Sequence, residues 1–225
     1  MPGFLYIHRL PRLLIASAAA VIALASIGCS ADRAPATYTD GRLAFVANIG
    51  SGSVTVIDLE RREVIRSIPT GAGAEGVAVT PDGSEVWITN RSANTVTVLD
   101  AASLEVLATI PSTDFPIRVV FTPDGKRALV TNARSGQLRI FETATRRETA
   151  VISLELGGTT MEGRIFQFEG SAVPIGILVT PDSRIAYIAA SNADLVVEID
   201  QQDHEVKRLF PTGLEPDGMA LVPRK

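Results

Sequence analysis

The sequence predicts an all-β fold of short antiparallel strands repeated as similar units, and three observations carry that prediction. A fourteen-residue stretch, VAVTPDGSEVWITN at 77–90, recurs as VVFTPDGKRALVTN at 119–132 and as ILVTPDSRIAYIAA at 177–190. The step from Pro81 to Pro123 is 42 residues, and that from Pro123 to Pro181 is 58, the same period plus 16 inserted residues. The runs between turns are short, rich in Val, Ile and Thr, and bounded by Gly, Pro, Asn or Asp, as strands are. A fixed period of this size built from short strands is the signature of propeller blades. The sequence therefore predicts a β-propeller of four-stranded antiparallel blades.

The chain begins with something other than a blade. His8, Arg9 and Arg12 precede Leu13–Ile27, fifteen residues without charge, interrupted only by Ser17 and Ser26. A membrane-crossing helix needs roughly 20 apolar residues, so this run reads as the core of an export signal spanning residues 1–28. Ala25-Ser26-Ile27-Gly28-Cys29 ends it, and this resembles the lipobox of bacterial lipoproteins, with Ser26 where Leu is usual. Cys29 is the only cysteine, so no internal disulfide accounts for it. The resemblance implies acylation of Cys29 and attachment to a membrane through its acyl chains. Ser30 after the cysteine implies the periplasmic side of a Gram-negative outer membrane. Residues 29–41 are small and polar and read as a tether.

The blades occupy residues 42–225. LAFVAN (43–48), SVTVID (53–58) and EVIRSI (63–68) are the second, third and fourth strands of a first blade. The inner strand before each Pro-Asp-Gly turn then opens a new unit. Strands two to four follow as EVWITN, TVTVLD and EVLATI in the second blade; RALVTN, QLRIFE and Thr149–Leu154 in the third; IAYIAA, LVVEID and Val206–Phe210 in the fourth. A lone inner strand, Met219–Val222, remains, and it is expected to complete the first blade and close the ring. A closed four-bladed ring, a half-ring that pairs into a homodimer, and a truncated copy of a longer propeller all satisfy this pattern. Asp58, Asp100, Glu142 and Asp200 recur after each third strand and read as turn acids that bond the following amides. Asn48, Asn90 and Asn132 read as turn residues too, tolerant of left-handed backbone.

The Thr-Pro-Asp-Gly turns, the Ile88-Thr89-Asn90 and Val130-Thr131-Asn132 segments and the Val-x-Val-x-Asp strands are similar to the YVTN-type (YncE-like) β-propeller repeat family over residues 42–223. Such propellers serve many roles, so the resemblance implies the fold more than the function. Family members often carry His after Pro where the chain enters an inner strand. The corresponding positions here are Glu75, Ile117, Ile175 and Asp217, with Arg118 replacing the glycine found at 76, 176 and 218. The missing imidazole ring argues against a bound metal or haem, and no cofactor is expected.

Glu75, Ile117, Arg118, Ile175 and Asp217 are therefore the candidate ligand-binding residues at the channel mouth. The insertion at 157–172 is expected on the same side, as an extra hairpin arm with Arg164, Phe166 and Phe168 for a partner, or as a packing flap. Nineteen basic against 25 acidic residues after removal of the signal leave a net charge of −6, which supplies no footprint for nucleic acid. His204 lies alone in a polar turn, and no Gly-x-Ser-x-Gly or phosphate loop is present. The expected role is a membrane-anchored binding or scaffold module for a protein or small ligand. A lactonase-like hydrolase using the mouth carboxylates, or an accessory subunit of a periplasmic oxidoreductase, are the alternatives.

Overall fold

The computed structural model describes residues 43–156 and 162–222. The export signal, Cys29 and the tether lie outside the described residues. Fifteen strands form four antiparallel sheets in strict chain order. β1 (Leu43–Asn48), β2 (Ser53–Asp58) and β3 (Glu63–Pro69) make the first. The second holds β4 (Ala74–Val79), β5 (Glu85–Asn90), β6 (Thr95–Asp100) and β7 (Val106–Pro111). In the third are β8 (Pro116–Phe121), β9 (Arg127–Asn132), β10 (Gln137–Glu142) and β11 (Arg147–Ser153). The fourth comprises β12 (Pro174–Val179), β13 (Ile185–Ala190), β14 (Leu195–Asp200) and β15 (Val206–Pro211). These are four propeller blades, as the repeat predicts.

The turns explain why the sequence folds this way. In the Pro-Asp-Gly turn the Thr80 hydroxyl donates to Asp82 at 2.6 Å and accepts from the Glu85 amide at 3.0 Å. Gly83, at φ +75°, supplies the left-handed residue that the turn requires. Hydrogen bonds from Thr80 and Ser84 pull the Asp82 carboxyl down to about 2. Thr122 and Asp124 repeat the turn with Gly125, and Thr180 and Asp182 repeat it with Ser183, a non-glycine residue at φ +61°. Asp58, Asp100 and Asp200 accept from the amides two residues on, at 2.7 to 3.0 Å, as turn acids should. The asparagines act differently from expectation. Asn48 and Asn90 sit inside strands and donate across the sheet to Thr55 and Thr97, at 2.8 and 2.9 Å, with no left-handed backbone.

Alternate residues of each blade pack on the next blade. Val54, Val56 and Ile68 meet Val86, Ile88 and Leu99 between the first and second. Trp87 fills the second junction, edge-on to Phe121 at 5.5 Å and Phe141 at 6.2 Å. Leu129, Leu138 and Ile140 meet Ala186, Ile188 and Ile199 in the third. Burial of this kind, at about 25 cal/mol per Å² of apolar surface, is what holds blade to blade.

The expected closing strand is a correction. Residues 219–222 form no strand among the described residues, and the first sheet keeps three strands. Leu221 and Val222 are exposed. Among the described residues the inner strands pack in a line, β4 on β8 and β8 on β12, with the second strand β1 against β4, and no packing of comparable extent joins the fourth sheet to the first. A strand forms only where a neighbour pairs its backbone. Residues 219–222 resemble an inner strand in side chains but have no second strand beside them.

Candidate functional site

Each inner strand begins with a β-bulge, and the bulge sets out the mouth. In β4, Ala74 pairs with Asn90 and Val77 with Ile88, so Glu75 and Gly76 together oppose Thr89. β8 and β12 shift register at the corresponding residues. Bulges re-aim side chains. The opposing threonine then stitches one blade to the next. The Gly76 amide donates to the Thr89 hydroxyl at 2.8 Å, and that hydroxyl donates to the Ile117 carbonyl at 3.1 Å. The Thr131 hydroxyl donates to the Ile175 carbonyl at 2.9 Å. Space is short here. A Cβ on Gly76 would lie 2.6 Å from the Ile117 carbonyl oxygen, and one on Gly176 would lie 1.8 Å from that of Asp217.

Three of the candidates come together as a charged cluster. Glu75 accepts from Arg118 at 3.3 Å through Oε1 and from Arg91 at 2.8 Å through Oε2. Arg118 reaches on to Asp217 at 3.9 Å. The gradient of exposure is steep: the Glu75 side chain is 14% exposed, Arg118 37% and Asp217 54%. Arg91 is a site residue that sequence reasoning missed. It directly follows the repeated Asn90, in a turn where the other units have Ile49, Ala133 and Ser191.

Ile117 and Ile175 depart from expectation. Both are buried, at 1% and 4% exposure, in an apolar cluster with Ala133 and Val173. Branched aliphatic side chains at a bulge collapse onto one another rather than stay in water. Phe115, Phe166 and Phe168 cover that cluster. The rings of Phe115 and Phe168 meet edge-on at 5.1 Å, and Phe115 and Phe166 at 6.1 Å. Arg91 lies 5.1 Å over the Phe115 ring, and Arg134 4.9 Å over that of Phe168. Phe115 is a bulky residue at φ +70°, next to Asp114 at +63°. Its counterpart in the second blade is Gly73 at φ +75°. Holding a phenylalanine in this region costs about 1–2 kcal/mol. The aligned position holds Gly73, Phe115, Val173 and Glu215, all with positive φ, so residue type at this place does not announce the conformation.

Of the two forms expected for the insertion, a hairpin arm or a packing flap, the described part takes the second. Residues 162–170 form turns and bends without strands. The described part of the insertion is a flap tied down at several points. Arg164 makes a two-pronged pair with Asp194, at 2.6 and 2.7 Å. The Ile165 amide donates to Glu215 at 2.7 Å, and Asn192 donates to the Phe166 carbonyl at 3.0 Å. The hydrogen bond from Arg164 is the main force holding the Asp194 carboxyl below the usual carboxylate range. Its alternating apolar residues thus face the body of the protein, and Ile165 faces solvent at 77% exposure.

Among the described residues no group of three His, Cys, Asp or Glu side chains is placed to hold a metal ion. No helix among them is long and apolar enough to cross a membrane. The arrangement presents a paired charge network beside an arginine-capped aromatic surface.

No curated protein matches this sequence. Among solved structures the chain is similar to a chain described as Kuenenia stuttgartiensis hydrazine synthase, with 14% identity, covering 86% of this chain and 92% of that one, at a TM-score of 0.49. The model of the YNCE-like beta-propeller matches residues 14–161, more than half of the sequence. With four blades built on its repeat, the chain belongs to the YNCE-like beta-propeller family.

Proposed function

We propose that this propeller is a binding module carried on a membrane by acylated Cys29, and that its partner docks on the mouth between Arg118, Asp217 and the arginine-capped phenylalanines. The observation that supports binding over hydrolysis is the state of Glu75. Both of its oxygens accept from guanidinium groups. Each oxygen is paired with a guanidinium and the side chain is only 14% exposed, so this carboxylate serves first as the charge partner of its neighbours. The outer groups suit recognition better. Arg118 and Asp217 are 3.9 Å apart and partly exposed, so a ligand can take either one at little cost. The Phe115–Phe168 surface beside them offers apolar area with cationic edges, the mixture found at interface anchors. The partner is a protein segment or small ligand carrying a polar group next to an aromatic or aliphatic one.

The test places a photoreactive side chain at Asp217 in the full chain in cells. A discrete adduct is expected, and Phe168→Ala together with Arg118→Ala should remove it. Turnover of any member of a lactone panel, abolished by Glu75→Gln with Asp217→Asn, would replace binding with hydrolysis. The anchor has its own readout. Labelled fatty acid should be incorporated into the full chain and lost in Cys29→Ser, whereas an unlabelled chain would remove the membrane part of the proposal.

A further inference from the structure

Three inter-blade junctions are filled by buried apolar clusters, and the outer flanks of the first and fourth blades are the two halves of another. Val46 on β1 occupies the repeat position of Ile88, Val130 and Ile188, each fully buried, yet it is 44% exposed. Tyr187 on β13 occupies the position of the buried Trp87, and is only half-buried beside Phe210 at 6.2 Å. Both flanks carry the residue types of a junction and stay partly exposed.

The backbone shows the same pairing of absences. Among the described residues β1 has no inner partner strand, while residues 216–222 follow the pattern that leads into β12: Pro216-Asp217-Gly218 for Pro174-Ile175-Gly176. The Asp217 carbonyl already fills the slot at Gly176 as the Ile117 carbonyl fills the slot at Gly76. The segment thus arrives where the next inner strand belongs, and continues into Leu221 and Val222, 48% and 86% exposed. Unpaired strand edges of this kind template addition of another strand.

We infer that a second copy of this chain completes both ends. Each copy lends Met219–Val222 to β1 of the other, and the flank holding Tyr187 packs on the flank holding Val46. Among the described residues of one copy, no strand of the fourth sheet packs on the first sheet to the extent that neighbouring blades do. A two-fold axis makes the same junction twice, as closed symmetric assemblies do. The register follows from β4 and β5. Val77 pairs with Ile88 and Val79 with Val86, so Met219 is set opposite Val46 and Leu221 opposite Ala44. This inference stands apart from the mouth proposal, because it uses the flanks and the inner edge of β1.

The experiment introduces Ala44→Cys and Leu221→Cys together into the full chain and oxidises it under native conditions. A covalent dimer on a non-reducing gel is expected, with neither single variant forming it. An internally cross-linked monomer would overturn the inference in favour of a four-bladed ring closed by one chain. The unmodified chain extracted in detergent provides the second measurement. A protein mass of two copies by light scattering is expected, and a mass of one copy, or of more than two, would overturn it even if the cysteine variant failed to fold.

Discussion

The protein has two aromatic clusters, and they are built by opposite means. Trp87, Phe121 and Phe141 meet inside the junction of the second and third blades, at 0%, 7% and 1% exposure. Phe115, Phe166 and Phe168 meet at the mouth and stay half-buried. Every member of the first cluster stands on a strand of the repeat, where alternation alone sends it inward. The second cluster draws one residue from a strained turn and two from the insertion. Repeat positions build the ring. Departures from the repeat build the surface that distinguishes this propeller from its own copies.

Breaking each cluster in turn should expose that difference. Trp87→Ala removes a fully buried indole and the 2.8 Å hydrogen bond it donates to Glu85. Glu85 is then left with Arg146 as its partner. The expected loss is about 3–5 kcal/mol, seen as a melting temperature lower by about 10 °C or more. Phe168→Ala should cost only about 1–2 kcal/mol, because the ring is partly solvated in the folded state. Its effect should appear locally, as faster hydrogen exchange at the Ile165 amide with the blade amides unchanged. Equal losses for the two variants would mean that the flap is part of the core and not an addition to it.

The same contrast explains what was legible in the sequence. Strand positions, the Thr-Pro-Asp-Gly turns and the turn acids are set by local chemistry that repeats, so four aligned copies reveal them. Glu75, Arg118 and Asp217 were legible as variants at two adjacent aligned positions, and the fold does bring them within reach of one another. Arg91 and Phe115 were missed because they lie one residue outside the strands, in turns whose conformation the repeat does not advertise. The roles of Thr89 and Thr131 were hidden for a different reason. Their partners are carbonyls of the next blade, 28 and 44 residues away. Closure of the first blade failed as an expectation because matching side chains do not bring two ends of an arc together. The insertion was left open between hairpin and flap because alternation in Arg164–Phe168 fits a strand, while the tertiary bonds of Arg164 and Ile165, which local pattern does not show, hold it in turns.

The smallest expected effect sharpens the comparison most, because it touches the flap without touching an aromatic ring. Asp194 sits at φ +56°, receives two hydrogen bonds from Arg164 and accepts from the Glu215 amide at 2.9 Å. Its carboxyl is held low, first by the Arg164 hydrogen bond, then by the Glu215 amide, against a burial effect in the other direction. The unfolded carboxyl titrates near 3.9. A depressed folded pKa contributes stability that is fully present above the unfolded value and is lost as pH falls through the folded one. Ile165 amide protection should therefore be flat from neutral pH down to about 4 and weaken below it. Asp194→Asn keeps a residue that tolerates left-handed backbone, and removes the charge and one of the two oxygens that accept from Arg164. That variant should show weaker protection at neutral pH and a smaller added loss in acid, with Glu215 still accepting from the Ile165 amide. The Trp87 junction is held mainly by fully buried apolar packing, with Glu85 at its edge paired to Arg146, so amides of β5 should not follow the same acid step. If they did, the flap and the blade junction would be one cooperative unit, and the division between repeat and departure would be one of sequence only.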